Sequence, residues 1–356
     1  MNQQYTFTQR VVITTVIVTL FIGGILLLIY AINFFFLVFA GILFAVMLRA
    51  ITNWLHDKTS MKKGLALALA NLIFFGTIAL AIWLIAPTVQ EQVQDLRETI
   101  PESISSLEEQ LRQTEWGEQA LDELTENGGG LVPDTQELAS RAGSFFTSTI
   151  NIITNLLIVI VVGIFFAGNP SSYQKGIVSL FPPRQRPRLN DVLEKSYDTL
   201  KWWLFGKLVT MVFVGILTGL GLMLLGIPLA LALAVIVFFL DFIPTVGPII
   251  AAVPAVLIAL LDGPMMALYV AILYLLVQSL ESYLLAPMIF QRTVNISPVV
   301  TLLSLVLFGI LVGPLGVILA APLVAVIQVF IRELYIKDYL EGGAREKKTE
   351  PATTNQ

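Results

Sequence analysis

Two carboxylates stand in a long apolar run where charge is otherwise almost absent. From Leu208 to Ile331 the charged side chains are Asp241, Asp262, Glu281 and Arg292. A charge at the centre of a bilayer costs roughly 2.5–3.5 kcal/mol on insertion scales, so such residues are usually functional or close to an interface. Asp241 opens the segment Asp241-Phe-Ile-Pro-Thr-Val-Gly-Pro248. Pro244 disfavours helical backbone in the residue before it, Gly247 offers backbone freedom, and Pro248 suits the first turn of a new helix. A helix that stops beside a carboxylate and restarts leaves backbone carbonyls free next to a negative charge. Such a break binds a cation, accepts a proton or grips a polar solute. The plainer alternative is a carboxylate resting at an interface.

Glu281 is flanked by Gln278, Ser279, Ser282 and Tyr283. Gln278, Glu281 and Ser282 share one helical face, and Pro287 is placed to break the helix a turn later. Arg292 and Asn295 follow within reach, so Glu281 could pair with Arg292; the plainer alternative is a polar helix end. The expected transport path is therefore Asp241, Pro244, Gly247, Pro248, Gln278, Glu281, Arg292 and Asn295. Asp262, in the turn signature Asp262-Gly-Pro264, reads as a loop residue at an interface.

These residues need membrane helices to hold them. The chain has 356 residues, of which 56% are hydrophobic and only 13% charged, and its mean hydropathy is +0.82. At least five apolar stretches reach the roughly 18 residues that read as a span, far more apolar surface than one soluble core can cover. The fold class is all-α: a polytopic integral membrane protein of about eight membrane segments, some short or re-entrant, with a small helical insertion outside the membrane.

Six regions follow from composition. Residues 1–86 hold spans 1–3: Val11–Ile32 and Phe34–Leu48, turning near Asn33, then Gly64–Ala86. The first stretch is long and runs on into the second, so it reads as an uncleaved span. Residues 87–145 carry thirteen carboxylates against Arg97, Arg112 and Arg141. Their apolar positions Val89, Val93, Leu96, Ile100, Ile104, Leu107 and Leu111 recur at helical spacing. That stripe suits either a helical hairpin or packing between copies of the chain. Residues 146–167 are span 4. Residues 168–206 are basic and amphipathic: Leu189, Val192, Leu193, Ser196, Leu200 and Leu204 make one face and Trp202-Trp203 follows. This pattern suits a helix lying in the interface or one packed on the ends of the spans. Residues 207–331 form the Gly/Pro-broken membrane domain, and 332–356 a basic, largely disordered tail. The basic segments at 49–63, 168–206 and 332–356 place both termini in the cytoplasm and the acidic segment outside.

One internal echo stands out. Gly247-Pro-Ile-Ile-Ala-Ala-Val-Pro254 resembles Gly313-Pro-Leu-Gly-Val-Ile-Leu-Ala-Ala-Pro322, and paired interrupted segments mark binding sites in repeat-built transporters.

Other chemistries find no support. The single histidine, His56, sits in a basic loop and reads as solvated. No phosphate-binding loop, dinucleotide fingerprint or metal-binding helix motif occurs, and the absence of cysteine removes thiolate sites. The chain is expected to be no enzyme, with no catalytic residues, cofactor or metal, and no nucleic-acid surface.

Phe242-Ile-Pro-Thr-Val-Gly-Pro-Ile-Ile-Ala-Ala-Val-Pro254, Glu281-Ser-Tyr-Leu-Leu-Ala-Pro287, Asn295-Ile-Ser-Pro298 and Gly309-Ile-Leu-Val-Gly-Pro-Leu-Gly-Val-Ile-Leu-Ala-Ala-Pro322 together resemble the C-terminal half of the autoinducer-2 exporter family of bacterial membrane proteins, the PerM-type permeases. The regional layout is similar over nearly the whole chain. The resemblance implies a secondary transporter of the bacterial inner membrane that assembles as a homo-oligomer. Its cargo would be a small polar molecule, with an autoinducer-2-type signal as one candidate. Alternatives are a monovalent cation (Na⁺)/proton antiporter, or a non-transporting membrane scaffold that binds a partner through its acidic outer segment.

Overall fold

The computed structural model describes residues 7–80, 83, 87, 135–289 and 297–341. Residues 88–134, which hold the apolar stripe of the acidic segment, and Arg292 and Asn295 lie outside them. Among the described residues the chain is helical and contains no strand. It is an all-α polytopic membrane protein. Five helices are long and apolar enough to cross a membrane, and a sixth candidate is a bent pair.

Helix α1 (Phe7–Tyr30) passes through a one-residue break at Ala31 into α2 (Ile32–Thr59). The turn comes two residues before Asn33, and α2 runs on through the first half of the basic segment. Nothing stops it until Ser60, which adopts a left-handed conformation and donates its N–H to the His56 carbonyl. His56 is half-buried, not merely solvated, and its Nδ1 lies 2.5 Å from the Met61 carbonyl. Helix α3 (Lys63–Leu80) returns. Helix α4 (Thr135–Gly168) packs along α2 where Gly41 meets Val162 and Gly163 meets Phe44. Small residues let the two backbones approach closely there. At Asn169-Pro170 the chain turns by 87° into α5 (Pro170–Ser179).

Helix α6 (Arg186–Leu224) is the centre of the molecule, 39 residues without a break. The amphipathic stretch Leu189–Leu204 is the first half of this one helix and continues directly into its apolar second half. Pro187 lies in the first turn, where no N–H is needed, and no proline follows to stop the helix. Val192 is buried, and the buried Leu200, Trp203 and Leu204 join Phe36, Leu43 and Val46 of α2 and Leu319 and Ala321 further on in one core cluster.

Two similar hairpins follow. Helix α7 (Ala230–Leu240) and helix α8 (Val246–Leu261) form the first. After α9 (Pro264–Leu280), a π-helical turn (Glu281–Leu285) and short α10 (Ala286–Ile289) come α11 (Pro298–Val312) and α12 (Pro314–Phe330), the second. Each hairpin's second helix carries a proline as its ninth residue, Pro254 and Pro322. In each a glycine presses its Cα against a carbonyl of the preceding helix: Gly247 against Leu240 and Gly316 against Phe308. The echo seen in the sequence is thus a shared construction, but Gly316, not Gly313, plays the part of Gly247. Asp262 is exposed and ends α8, with Gly263 at φ 111° before Pro264. A final π helix (Ile331–Glu341) closes the described chain.

The basic segments meet at one end of the molecule. Asn53 of α2 donates to the Tyr197 hydroxyl of α6 at 3.5 Å. Beyond the apolar stretches, Glu333 accepts from Lys337 at 2.6 Å and from Arg188 and Lys195 at 2.9 Å each. Arg188 also reaches Asp338 at 2.9 Å and touches Asp191. The Lys337 ammonium above all, then Lys195 and Arg188, outweigh desolvation and hold the Glu333 carboxyl at about 2, well below its ordinary value.

Candidate transport site

Asp241 and Glu281, forty positions apart in the sequence, share one partner. Lys207 of α6 places its Nζ 3.0 Å from Asp241 Oδ2 and 3.4 Å from Glu281 Oε1. All three side chains are buried, Lys207 to 3% exposure, Asp241 to 1% and Glu281 to 9%. Gln278 closes the group from the previous turn of α9, donating Nε2 to Glu281 Oε2 at 2.8 Å.

Each member is set by local structure. Lys207 falls on the buried face of α6 with Thr210, Val214, Thr218 and Leu222. This face is apolar or hydroxylic apart from the lysine. Gly215 and Gly219 bring α7 against it, since a Cβ at Gly219 would stand 2.9 Å from the Ala234 Cβ. That contact directs the end of α7, and hence Asp241, toward Lys207. Asp241 terminates α7, its N–H bonded to the Val237 carbonyl at 2.8 Å. The chain then turns through Pro244 and Thr245, which has φ 68° and ψ −49°.

The unusual backbone angle therefore lies at Thr245, and Gly247 is not among the glycines of positive φ. Gly247 is required because a Cβ would collide with the Leu240 carbonyl. Its buried neighbour Pro248 begins the packed face of α8, while Pro244 is half-buried in the turn. The Phe242 ring, next to Asp241 in the chain, meets Trp203 edge-on at 5.7 Å.

Glu281 begins the π-helical turn. Pro287 has no N–H to offer and does not end the helix as its sequence position suggested. The chain widens instead, the Ala286 N–H reaching back five residues to the Glu281 carbonyl. The site thus brings together Asp241, Gln278 and Glu281 from the sequence-derived group, with Pro244, Gly247 and Pro248 as the scaffold of the turn.

Sequence reasoning missed Lys207. It lies one residue outside the charge-poor run, at the boundary where the basic segment ends and the membrane domain begins, and reads there as a flanking cation. The available signal was the arithmetic of charge: two carboxylates inside an apolar domain need a cation, and Lys207 shares the helical register of Thr210, Val214 and Thr218.

Among the described residues the group is electrostatically incomplete. At an effective dielectric of about 20, each cation–carboxylate contact is worth roughly 4–5 kcal/mol, while removing each ion from water costs several. One ammonium against two ionised carboxylates leaves a formal excess of one negative charge. Asp241 Oδ1, Gln278 Oε1 and the Tyr274 hydroxyl, one turn before Gln278 in α9, are buried and find no hydrogen-bond partner among the described residues. A buried polar group left unpaired costs about 1–3 kcal/mol, so these atoms mark a place where a polar solute, a proton or a cation would be stabilised. Among the described residues no cluster of His, Cys, Asp or Glu fits a metal ion.

Residues 12–336 match the family described as AI-2E family transporter. The chain is 27% identical over 308 residues to YueF and 28% identical over 302 residues to YrrI, both of Bacillus subtilis (strain 168) and both provisionally named transport proteins. The alignments cover 83% of this chain and of YueF, and 82% of this chain and 84% of YrrI. It is also 28% identical to TqsA of Escherichia coli (strain K12), named an AI-2 transport protein, over 142 residues, 40% of this chain and 41% of that protein.

Proposed function

As a member of the AI-2E transporter family, the chain is a multi-pass membrane transport protein, and we propose that it exports a small polar molecule across the bacterial inner membrane by way of the Lys207–Asp241–Glu281 cluster. The observation that carries this reading is a buried cation held between two carboxylates, with acceptor atoms left unsatisfied, at the meeting of three helices. A hydroxyl-rich solute offers donors to Asp241 Oδ1 and Gln278 Oε1 and an acceptor to the lysine. An autoinducer-2-type signal is such a solute, and the name of TqsA supports it as the first cargo to test. No catalytic step is assigned to the chain. Arg292 and Asn295 remain proposed members of the path. Both termini and the charged end are placed in the cytoplasm, following the excess of lysine and arginine, and a homo-oligomer is the proposed assembly.

A second reading is favoured by the excess negative charge. A proton or a monovalent cation such as Na⁺ would neutralise the cluster, which suits cation/proton antiport. Reconstituted protein should be assayed for flux of a panel of polar metabolites, with and without Na⁺ and proton gradients. Metabolite flux lost in Asp241→Asn supports export; Na⁺ flux that proceeds without any metabolite supports antiport. No flux of either kind would overturn both.

A further inference from the structure

A second cavity lies apart from the cluster. It has a volume of about 640 Å³ and sits between α2, α4, α5, α6 and α12, and none of Lys207, Asp241, Gln278 or Glu281 lines it. Its walls are mostly apolar, with Phe39, Ile42, Val46, Leu200, Val326 and Phe330 as the body. That volume is in the range of a pocket that encloses one drug-sized molecule, roughly 300–1,000 Å³. At its edge stands Arg49, half-buried, which joins none of the ion pairs among the described residues. Asn53 and Tyr197 lie beside it on the wall. Glu194 also borders the cavity but is exposed, where water and salt screen its charge.

We propose that this cavity binds a fatty acid, its carboxylate held by Arg49 and its chain lying between α2 and α6. A guanidinium without a counter-ion, partly withdrawn from water beside an apolar chamber, calls for an anion attached to a hydrocarbon. A planar carboxylate meets it with two parallel hydrogen bonds. The chain of such an acid covers the apolar wall at about 25 cal/mol per Å² of apolar surface removed from water. A small polar metabolite leaves the apolar body of the cavity uncovered, and a phospholipid inserting one chain is the competing occupant that the test separates from the free acid. The inference is independent of the proposed cargo, because it concerns different residues.

The test is photolabelling of the full-length protein in nanodiscs with palmitic acid carrying a diazirine on its chain, followed by mapping of the adducts. Adducts are expected on peptides holding Ile42 and Leu200, above those on outward-facing Leu156. Arg49→Gln should reduce them at least tenfold, and Arg49→Lys should keep them within threefold of wild type. The methyl ester should label the cavity no better than it labels Leu156. Ile42→Trp, which narrows the chamber, should weaken cavity labelling even if Arg49→Gln proves unstable. Equal labelling of wild type and a folded Arg49→Gln overturns the proposal. So does equal labelling by acid and ester, or displacement by phosphatidylglycerol in place of unlabelled palmitate.

Discussion

Lys207 Nζ and Asp241 Oδ2 lie 3.0 Å apart with both side chains almost wholly enclosed. Removing one partner from such a pair leaves a charge buried and uncompensated, whereas removing the charge from both is far milder. The asymmetry lets the contribution of the cluster to stability be separated from its contribution to transport.

Lys207→Met should therefore destabilise the protein by about 3–5 kcal/mol, because both carboxylates lose their counter-ion. The triple substitution Lys207→Met, Asp241→Asn, Glu281→Gln should recover most of that loss without recovering transport. Thermal unfolding in detergent, run beside liposome flux, reads both quantities. Recovery of flux in the triple variant would show that transport does not use these charges.

Asp241→Asn keeps the shape of the side chain and removes its titratable charge. Flux that depends on pH in the wild type should lose that dependence, with the folded protein eluting unchanged. Glu281→Gln should act in the same direction and leaves Gln278 without its ionised acceptor. Wild-type rate and pH profile in both variants would move the site elsewhere.

Gly247→Ala and Gly316→Ala each set a methyl group against a backbone carbonyl. Overpacking of this kind costs roughly 1–3 kcal/mol, and more where backbone must shift. Gly176→Ala, where a Cβ meets nothing within 4 Å, should be neutral or slightly stabilising. Equal melting temperatures for all three would remove the close contact as the reason for glycine in the two hairpins.

The charged end has its own pH signature. Glu333 is held down at about 2 from an ordinary value of 4.5. A carboxyl whose folded value is depressed adds stability that is complete above its unfolded value and is lost as pH falls through the folded one. Glu333→Gln should therefore lower the melting temperature at pH 7, and the gap from wild type should narrow between about pH 4.5 and pH 2. A gap independent of pH would assign the effect to packing.

The orientation can be checked on a chain that has no cysteine of its own. Lys58→Cys and Arg184→Cys, both at exposed positions, should resist a membrane-impermeant maleimide applied from outside, whereas Ala120→Cys should react. Outside labelling at position 184 would invert the topology.

Much of this architecture is visible in the sequence, and the reasons for the remainder are physical. Asp241 and Glu281 announce themselves because charge is expensive among apolar residues, and Gln278 follows from helical spacing. Lys207 does not, since a lysine at the edge of a basic segment looks solvated until three-dimensional contacts show two acids beside it. The continuity of α6 is hidden for a related reason: an amphipathic stretch and an apolar stretch differ in composition, yet nothing between Trp202 and Leu208 interrupts the backbone. Gly247 stands out in the sequence for its torsional freedom, whereas the deciding fact is how closely it approaches the Leu240 carbonyl. The collision it avoids depends on how α7 and α8 dock.

The unbroken α6 makes the molecule mechanically simple along one line. At 1.5 Å per residue it is a rod of ~58 Å, and Arg188 stands ~29 Å along it from Lys207. A tilt of about 5° pivoting at Lys207 would swing Arg188 by roughly 2.5 Å, comparable to the 2.9 Å ion pairs it makes with Glu333 and Asp338. In a helix this long and unbroken, the geometry alone ties the enclosed lysine to the ion pairs of Arg188: such a tilt about Lys207 is read there as a displacement of the same order as their length.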